Sequence, residues 1–229
     1  MSRLLAFDTA TRWGSLALLE AHDAGEVEVV AELGASVPDS HAARLLQRAE
    51  LLLSVAGWST SEIDVFVATR GPGSFTGIRI GLGTLRGLML STGKPGVGVN
   101  TLEAIAEAHG PAEAARLVVL GAGRGELFGA CYDAASSPPQ ELEPPWLGGA
   151  ERVRSTESRP GRTLVLCGPG AAALLPSAPG DGVRRIAAPR AVAAAAGRLA
   201  VLHRATADPA ASLAPFYLRA PDVRPPRQG

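Results

Sequence analysis

The chain has 229 residues, 46% of them hydrophobic, which is enough to bury a core as one large domain or two small lobes. Lysine plus arginine and aspartate plus glutamate both number 22, so the formal net charge is zero and no broad basic field exists to hold a polyanion on this chain alone. No apolar run approaches the roughly 20 residues that cross a bilayer, and the start Met1-Ser2-Arg3-Leu4-Leu5 opens no long apolar region with a cleavage site, which predicts a cytoplasmic protein.

In chain order, residues 4–9, 15–19 and 26–33 read as three strands before any helix. Asp39-Ser40 then offers a helix cap, and Leu45, Leu46, Ala49, Leu52, Leu53 and Ala56 form an apolar stripe that stops at Gly57. A buried strand over 63–68, a helix over 76–90, a short strand at 97–99 and a helix from Thr101 to Gly110 follow. The order predicts a mixed sheet that begins antiparallel and becomes parallel through right-handed crossovers. From Arg116 a second unit echoes the first, with paired strands at 117–121 and 126–132 and a proline-rich surface loop over 136–145. A strand at 163–167, a Gly168-Pro169-Gly170 turn, a strand at 184–187 and a helix opening at Pro189 and running to about His203 complete it. The end, 221–229, is polar and proline-rich and reads as a mobile tail. Cys131 and Cys167 lie in apolar runs without metal-type spacing and read as buried thiols.

The segment 68–81 carries the most chemical information. It leaves a β-branched and aromatic strand through Arg70-Gly71-Pro72-Gly73-Ser74-Phe75-Thr76-Gly77 directly into a helix that Ser74 or Thr76 can cap. Free amides at such a junction can hold an anion. The known catalytic versions do not fit. A Walker loop needs lysine after its last glycine, where Gly77 precedes Ile78; a dinucleotide fingerprint needs glycine at Thr76; a nucleophile elbow needs glycines at Pro72 and Thr76. Two readings stand: a tight strand-to-helix turn, or an anion loop of Gly71, Gly73, Ser74 and Thr76 to which Asp8, Thr9 and Thr11 would add polar groups. For Asp8 the favoured reading is a turn between the first two strands.

Taken together, the residues Leu5-Ala6-Phe7-Asp8-Thr9-Ala10-Thr11, His41 at the first helix, Arg70 to Gly81, and Phe216-Tyr217-Leu218-Arg219 resemble the TsaB (YeaZ) family, over most of residues 3–134 and again at 215–219. The resemblance implies a two-lobed actin-like (ribonuclease H-like) α/β fold, each lobe a mixed sheet flanked by helices. It implies an N-terminal lobe over 1–100, a C-terminal lobe over 101–215 whose last helix can pack back on the first, and a tail over 216–229. It also implies a non-catalytic subunit of the complex that makes threonylcarbamoyladenosine in tRNA. The paralogous catalytic subunit TsaD and the small ATPase TsaE would be its partners, with a homodimer when alone, tRNA met only through the complex, and ATP used by the complex with no cofactor held tightly here. The alternative is an independent actin-like ATPase or phosphotransferase; a protease lacks any apparent Ser-His-Asp or metal set.

Catalytic TsaD-like subunits carry two histidines four residues apart on the first helix, whereas His41 is followed four residues on by Leu45. With His22, His109 and His203 isolated in sequence, no metal site is expected. Gly121 stands where relatives have aspartate, leaving Arg124 and Glu126 as candidates for a structural pair. The expected partner surface lies on the first two long helices: His41, Leu45, Arg48 and Leu52, then Gly77, Arg79, Gly81, Leu82, Leu85 and Met89. Glycines at 77, 81, 83 and 87 each cost about 0.5 to 1 kcal/mol in a helix, so a packing use is expected for them, against a partner or against the chain's own sheet.

Overall fold

Along the first strand side chains alternate between two buried faces, Leu4 and Ala6 on one and Leu5 and Phe7 on the other. A strand that is apolar on both faces needs cover on both, and helices supply it. The computed structural model describes residues 1–22, 25–36, 41–111, 115–157, 164–167, 183–187, 189–203 and 213–219.

The first sheet runs β3-β2-β1-β4-β5, from β1 (Ser2–Asp8), β2 (Trp13–Ala21), β3 (Val27–Ser36), β4 (Val65–Thr69) and β5 (Gly96–Val99). β1 and β2 are antiparallel with Leu5 opposite Leu18, β2 and β3 are antiparallel, and β1, β4 and β5 are parallel. The second sheet repeats this plan. β6 (Ala115–Gly123), β7 (Glu126–Asp133) and β8 (Gln140–Gly148) form an antiparallel meander, and β9 (Leu164–Cys167) and β10 (Val183–Arg185) add parallel strands beside β6.

Helices α1 (His41–Ala56) and α2 (Phe75–Thr92) cover one face of the first sheet, setting Leu45, Ala49, Leu52, Leu53, Ile78, Leu82 and Leu85 against Phe7, Leu16, Leu18 and Phe66. Helices α3 (Thr101–Glu107) and α5 (Ala193–Leu202) fill the opposite face, in one core with Val118, Leu120, Phe128, Ala130 and Tyr132 of the second sheet. Between β8 and β9, α4 (Ala150–Glu157) places Val153 on that sheet's outer face with Leu117, Val119 and Leu127.

Three expectations change. Residues 140–145 of the expected surface loop belong to β8, where Pro144 and Pro145 are tolerated because the strand is at the sheet edge. The last helix begins at Ala193, four residues after Pro189, because its start is fixed by a long-range cap: Ser15 Oγ of β2 accepts from the amides of Val192 and Ala193, each at 3.0 Å. The polar helix α4 was not foreseen. The Asp39-Ser40 cap, the Gly168-Pro169-Gly170 turn and the 221–229 tail lie outside the described residues.

Candidate functional site

The glycine segment closes on the β1–β2 turn. Asp8 is fully buried, and its Oδ1 accepts from the amide of Ala10 at 2.9 Å, the amide of Thr11 at 3.4 Å and Thr69 Oγ1 at 2.6 Å, while Oδ2 accepts from Thr11 Oγ1. The bond to Ala10 makes this an Asx turn. Burial pushes the Asp8 carboxyl above its ordinary value, and the Thr11, Thr69 and amide donors pull it back down. Thr9 Oγ1 donates to the Gly77 carbonyl at 2.7 Å, and the Ser74 amide donates to the Ala10 carbonyl at 2.8 Å. Ser74 Oγ accepts from the Gly77 amide at 3.1 Å and caps α2. Ser74 and Thr76 remain exposed at the helix start, whereas Thr9, Thr11 and Gly71 are buried and Gly73 is half-buried. The structure therefore brings Asp8, Thr9, Thr11, Gly71, Gly73, Ser74 and Thr76 together and engages the first three in holding the loop.

Gly71 has φ +112°, and a Cβ there would collide with the Phe216 carbonyl. This close approach marks a strap, residues 213–219, that sequence reading did not connect to the loop. The Phe216 amide donates to the Arg70 carbonyl at 2.8 Å, Arg86 Nη2 donates to the Leu213 carbonyl at 3.2 Å, and the rings of Phe75 and Tyr217 lie 5.1 Å apart. At its far end Arg219 donates to the Ala122 carbonyl at 2.9 Å and pairs with Glu126 on the β6–β7 hairpin. The strap thus ties the loop of the first lobe to the second lobe. Half-burial lowers the Arg70 guanidinium from its ordinary value, partly opposed by Glu103.

The expected partner surface divides. Leu45, Leu52, Gly77, Gly81, Leu82 and Leu85 are buried against the chain's own β-sheet and loop, a correction to their assignment as partner-facing. For Gly77 and Gly81 the physical reason is Thr9, whose carbonyl and hydroxyl occupy the space a Cβ would take. Arg79 is exposed with its guanidinium 3.8 Å from the Phe75 ring centroid, and Arg48 and Met89 are half-buried. His41 heads α1, and its side chain lies outside the described residues. The outward faces carry a different set. Leu51 and Val55 on α1 are 58% and 73% exposed, Leu90 on α2 is 87% exposed, and Leu46 is exposed as well. Gly83 and Gly87 are exposed, with nothing within 4 Å of a Cβ at either position. Arg86 shares that face, and residues 65–102 contain no acidic side chain.

One sequence reading of the histidines also changes: among the described residues, His22 lies with Glu20 and Glu28 in a group whose potential ligand atoms are within 4.8 Å of one another.

Two five-stranded mixed sheets of identical strand plan, with helices between and outside them, define a two-lobed actin-like α/β protein. A Pseudomonas aeruginosa protein with similarity to peptidase YeaZ superimposes with a TM-score of 0.77 at 28% identity, covering 96% of this chain and 100% of that one. The family model of TsaD, tRNA N6-adenosine threonylcarbamoyltransferase, matches residues 26–137. The Escherichia coli tRNA threonylcarbamoyladenosine biosynthesis protein TsaB is 38% identical over 132 residues, 57% of this chain and 54% of that protein, so the match spans about half the length of this curated relative. An uncharacterized Mycobacterium bovis protein is 30% identical over 98% of this chain and 95% of its own length. The chain belongs to the TsaB (YeaZ) family of the actin-like superfamily.

Proposed function

We propose that this chain is a non-catalytic subunit that supports threonylcarbamoyl transfer to adenosine of tRNA by pairing with a TsaD-type catalytic subunit. The observation that carries this reading is the exposure of Leu51 and Val55 on α1 and of Leu90 on α2, together with the open backbone at Gly83 and Gly87 of α2. Glycines four apart let a second helix approach closely, and fully burying an exposed leucine or valine contributes about 1.5 to 3 kcal/mol each. Two helices from each of two related subunits make a four-helix bundle, and the same face can self-pair into a symmetric dimer when the partner is absent. Arg79 and Arg86, with no acid among residues 65–102, suit a partner that presents carboxylates at the rim.

Two further observations support a supporting role. The acceptor oxygens of Asp8 are engaged by Ala10, Thr11 and Thr69, so this acid works as a turn anchor. Leu45 stands where a TsaD-like metal pair would need its second histidine, and its side chain is in the core. In this reading tRNA meets the complex mainly through the partner, because the chain has no net charge of its own to offer, and TsaE supplies the ATPase of the assembly. The test is co-elution of the Gly83→Leu variant with TsaD from the same source. A folded variant that no longer co-elutes supports the outward face as the interface. Unchanged pairing would move the interface elsewhere.

A further inference from the structure

At the end of the first sheet farthest from the glycine loop, two glutamates face each other across a strand pair. Glu20 of β2 is directly opposite Glu28 of β3 in the antiparallel register. Directly opposed like charges destabilise a strand pair unless a cation lies between them. His22 follows directly on the end of β2, and its backbone is held there by its amide, which donates to the Glu26 carbonyl at 2.9 Å. The carboxylate and imidazole atoms of the three side chains lie within 4.8 Å of one another. Tetrahedral ligands about 2.1 Å from one ion stand about 3.4 Å apart, so side-chain rotations that draw the three groups together by about 1 to 1.5 Å bring them onto one ion.

We propose that Glu20, His22 and Glu28 form a site for one divalent transition-metal ion of the zinc class. One imidazole nitrogen with two carboxylate oxygens favours zinc over magnesium or calcium, which prefer all-oxygen sets. Arg3 serves as the orienting neighbour. Its Nε donates to Glu20 Oε1 at 3.2 Å, fixing that carboxylate and leaving Oε2 for the ion. Arg3 is itself paired with Glu62 at 2.5 Å, so its charge does not cancel the two glutamates. Three protein ligands leave a coordination position for water or for a donor from another molecule. The ion would pin β3, an edge strand, to the end of β2.

The experiment is calorimetric titration of the untagged full-length chain with zinc chloride, in parallel with His22→Ala and Glu28→Gln, followed by melting curves with and without zinc. The expected result is saturable binding of one zinc ion per chain, weakened at least about tenfold in each variant, the scale on which even an outer partner of a metal ligand acts. Zinc should raise the melting temperature of the parent chain and raise that of His22→Ala by less at the same zinc concentration. No saturable binding, magnesium binding as tight as zinc, or zinc binding unchanged in both variants would each overturn the assignment. The last result would put the metal on His41, His109 or His203.

Discussion

Glycine-to-alanine substitutions on α2 should separate its inner face from its outer one. At Gly77 an added Cβ would lie inside the contact radius of the Thr9 carbonyl oxygen and 2.9 Å from the Thr9 carbonyl carbon. That obstacle is backbone at the end of a central strand and cannot rotate away. Overpacking of this kind costs about 1 to 3 kcal/mol, and disturbing the bond from Thr9 Oγ1 to the Gly77 carbonyl removes about 1 more. Against this, alanine is worth up to about 1 kcal/mol over glycine in a helix, and less in a first turn such as this. Gly77→Ala should therefore lose about 1 to 3 kcal/mol net, a fall of several degrees in melting temperature for a chain of this size. At Gly83 nothing lies within 4 Å of the added Cβ, so only the helix gain remains. Gly83→Ala should melt about 2 to 4 °C higher while pairing less well with TsaD. Differential scanning calorimetry of both variants decides the matter. If Gly77→Ala melts at or above the parent, the close packing of α2 on Thr9 is wrong.

Further outcomes follow from the same contacts. Asp8→Ala strands the Ala10 and Thr11 amides and the Thr69 hydroxyl in the core, the Thr11 hydroxyl keeping the Trp13 carbonyl at 2.9 Å, and should cost several kcal/mol, each unsatisfied buried donor being worth about 1 to 3; Asp8→Asn should fold and still support tRNA modification, and its loss in a folded Asp8→Asn chain would give Asp8 a chemical role. Ser15→Ala removes the acceptor for the amides of Val192 and Ala193 and should cost about 1 to 2 kcal/mol in urea denaturation, against no change if α5 is capped otherwise. Donation from His203 Nε2 to the Glu103 carboxylate raises the His203 imidazole above its ordinary 6.5. A raised folded value means its stabilisation is complete below pH 6.5 and fades as pH rises through the folded value, so the advantage of the parent over His203→Gln should shrink upward from pH 6.5; an advantage that grows would refute the pairing.

Much of the frame was legible because patterns with a short range decide it. The two-faced strands β1, β2 and β4 and the apolar stripe of α1 follow from periodicity, and the Ser74 cap follows from the residue type at a strand-to-helix junction. Features set by distant residues were not legible. The start of α5 depends on Ser15, some 180 residues earlier, and so Pro189 misled. β8 was hidden by Pro144 and Pro145, which only an edge position permits. The four α2 glycines look alike in sequence, and only the position of Thr9 tells Gly77 and Gly81 from the open Gly83 and Gly87. In the same way, register across β2 and β3 is what joins His22 to two glutamates. Residues 216–219 stand out in the sequence, but their role as a strap was not legible, because the contacts to Gly71 and Ala122 join parts of the chain far apart in sequence.

The most direct measurement is threonylcarbamoylation of tRNA in a reconstituted system containing the threonylcarbamoyl-adenylate donor with TsaD and TsaE from the same source, run with and without this chain. Modification should depend on this chain, with none from this chain alone. Modification indifferent to its presence would contradict the account and turn attention to an independent nucleotide-using activity.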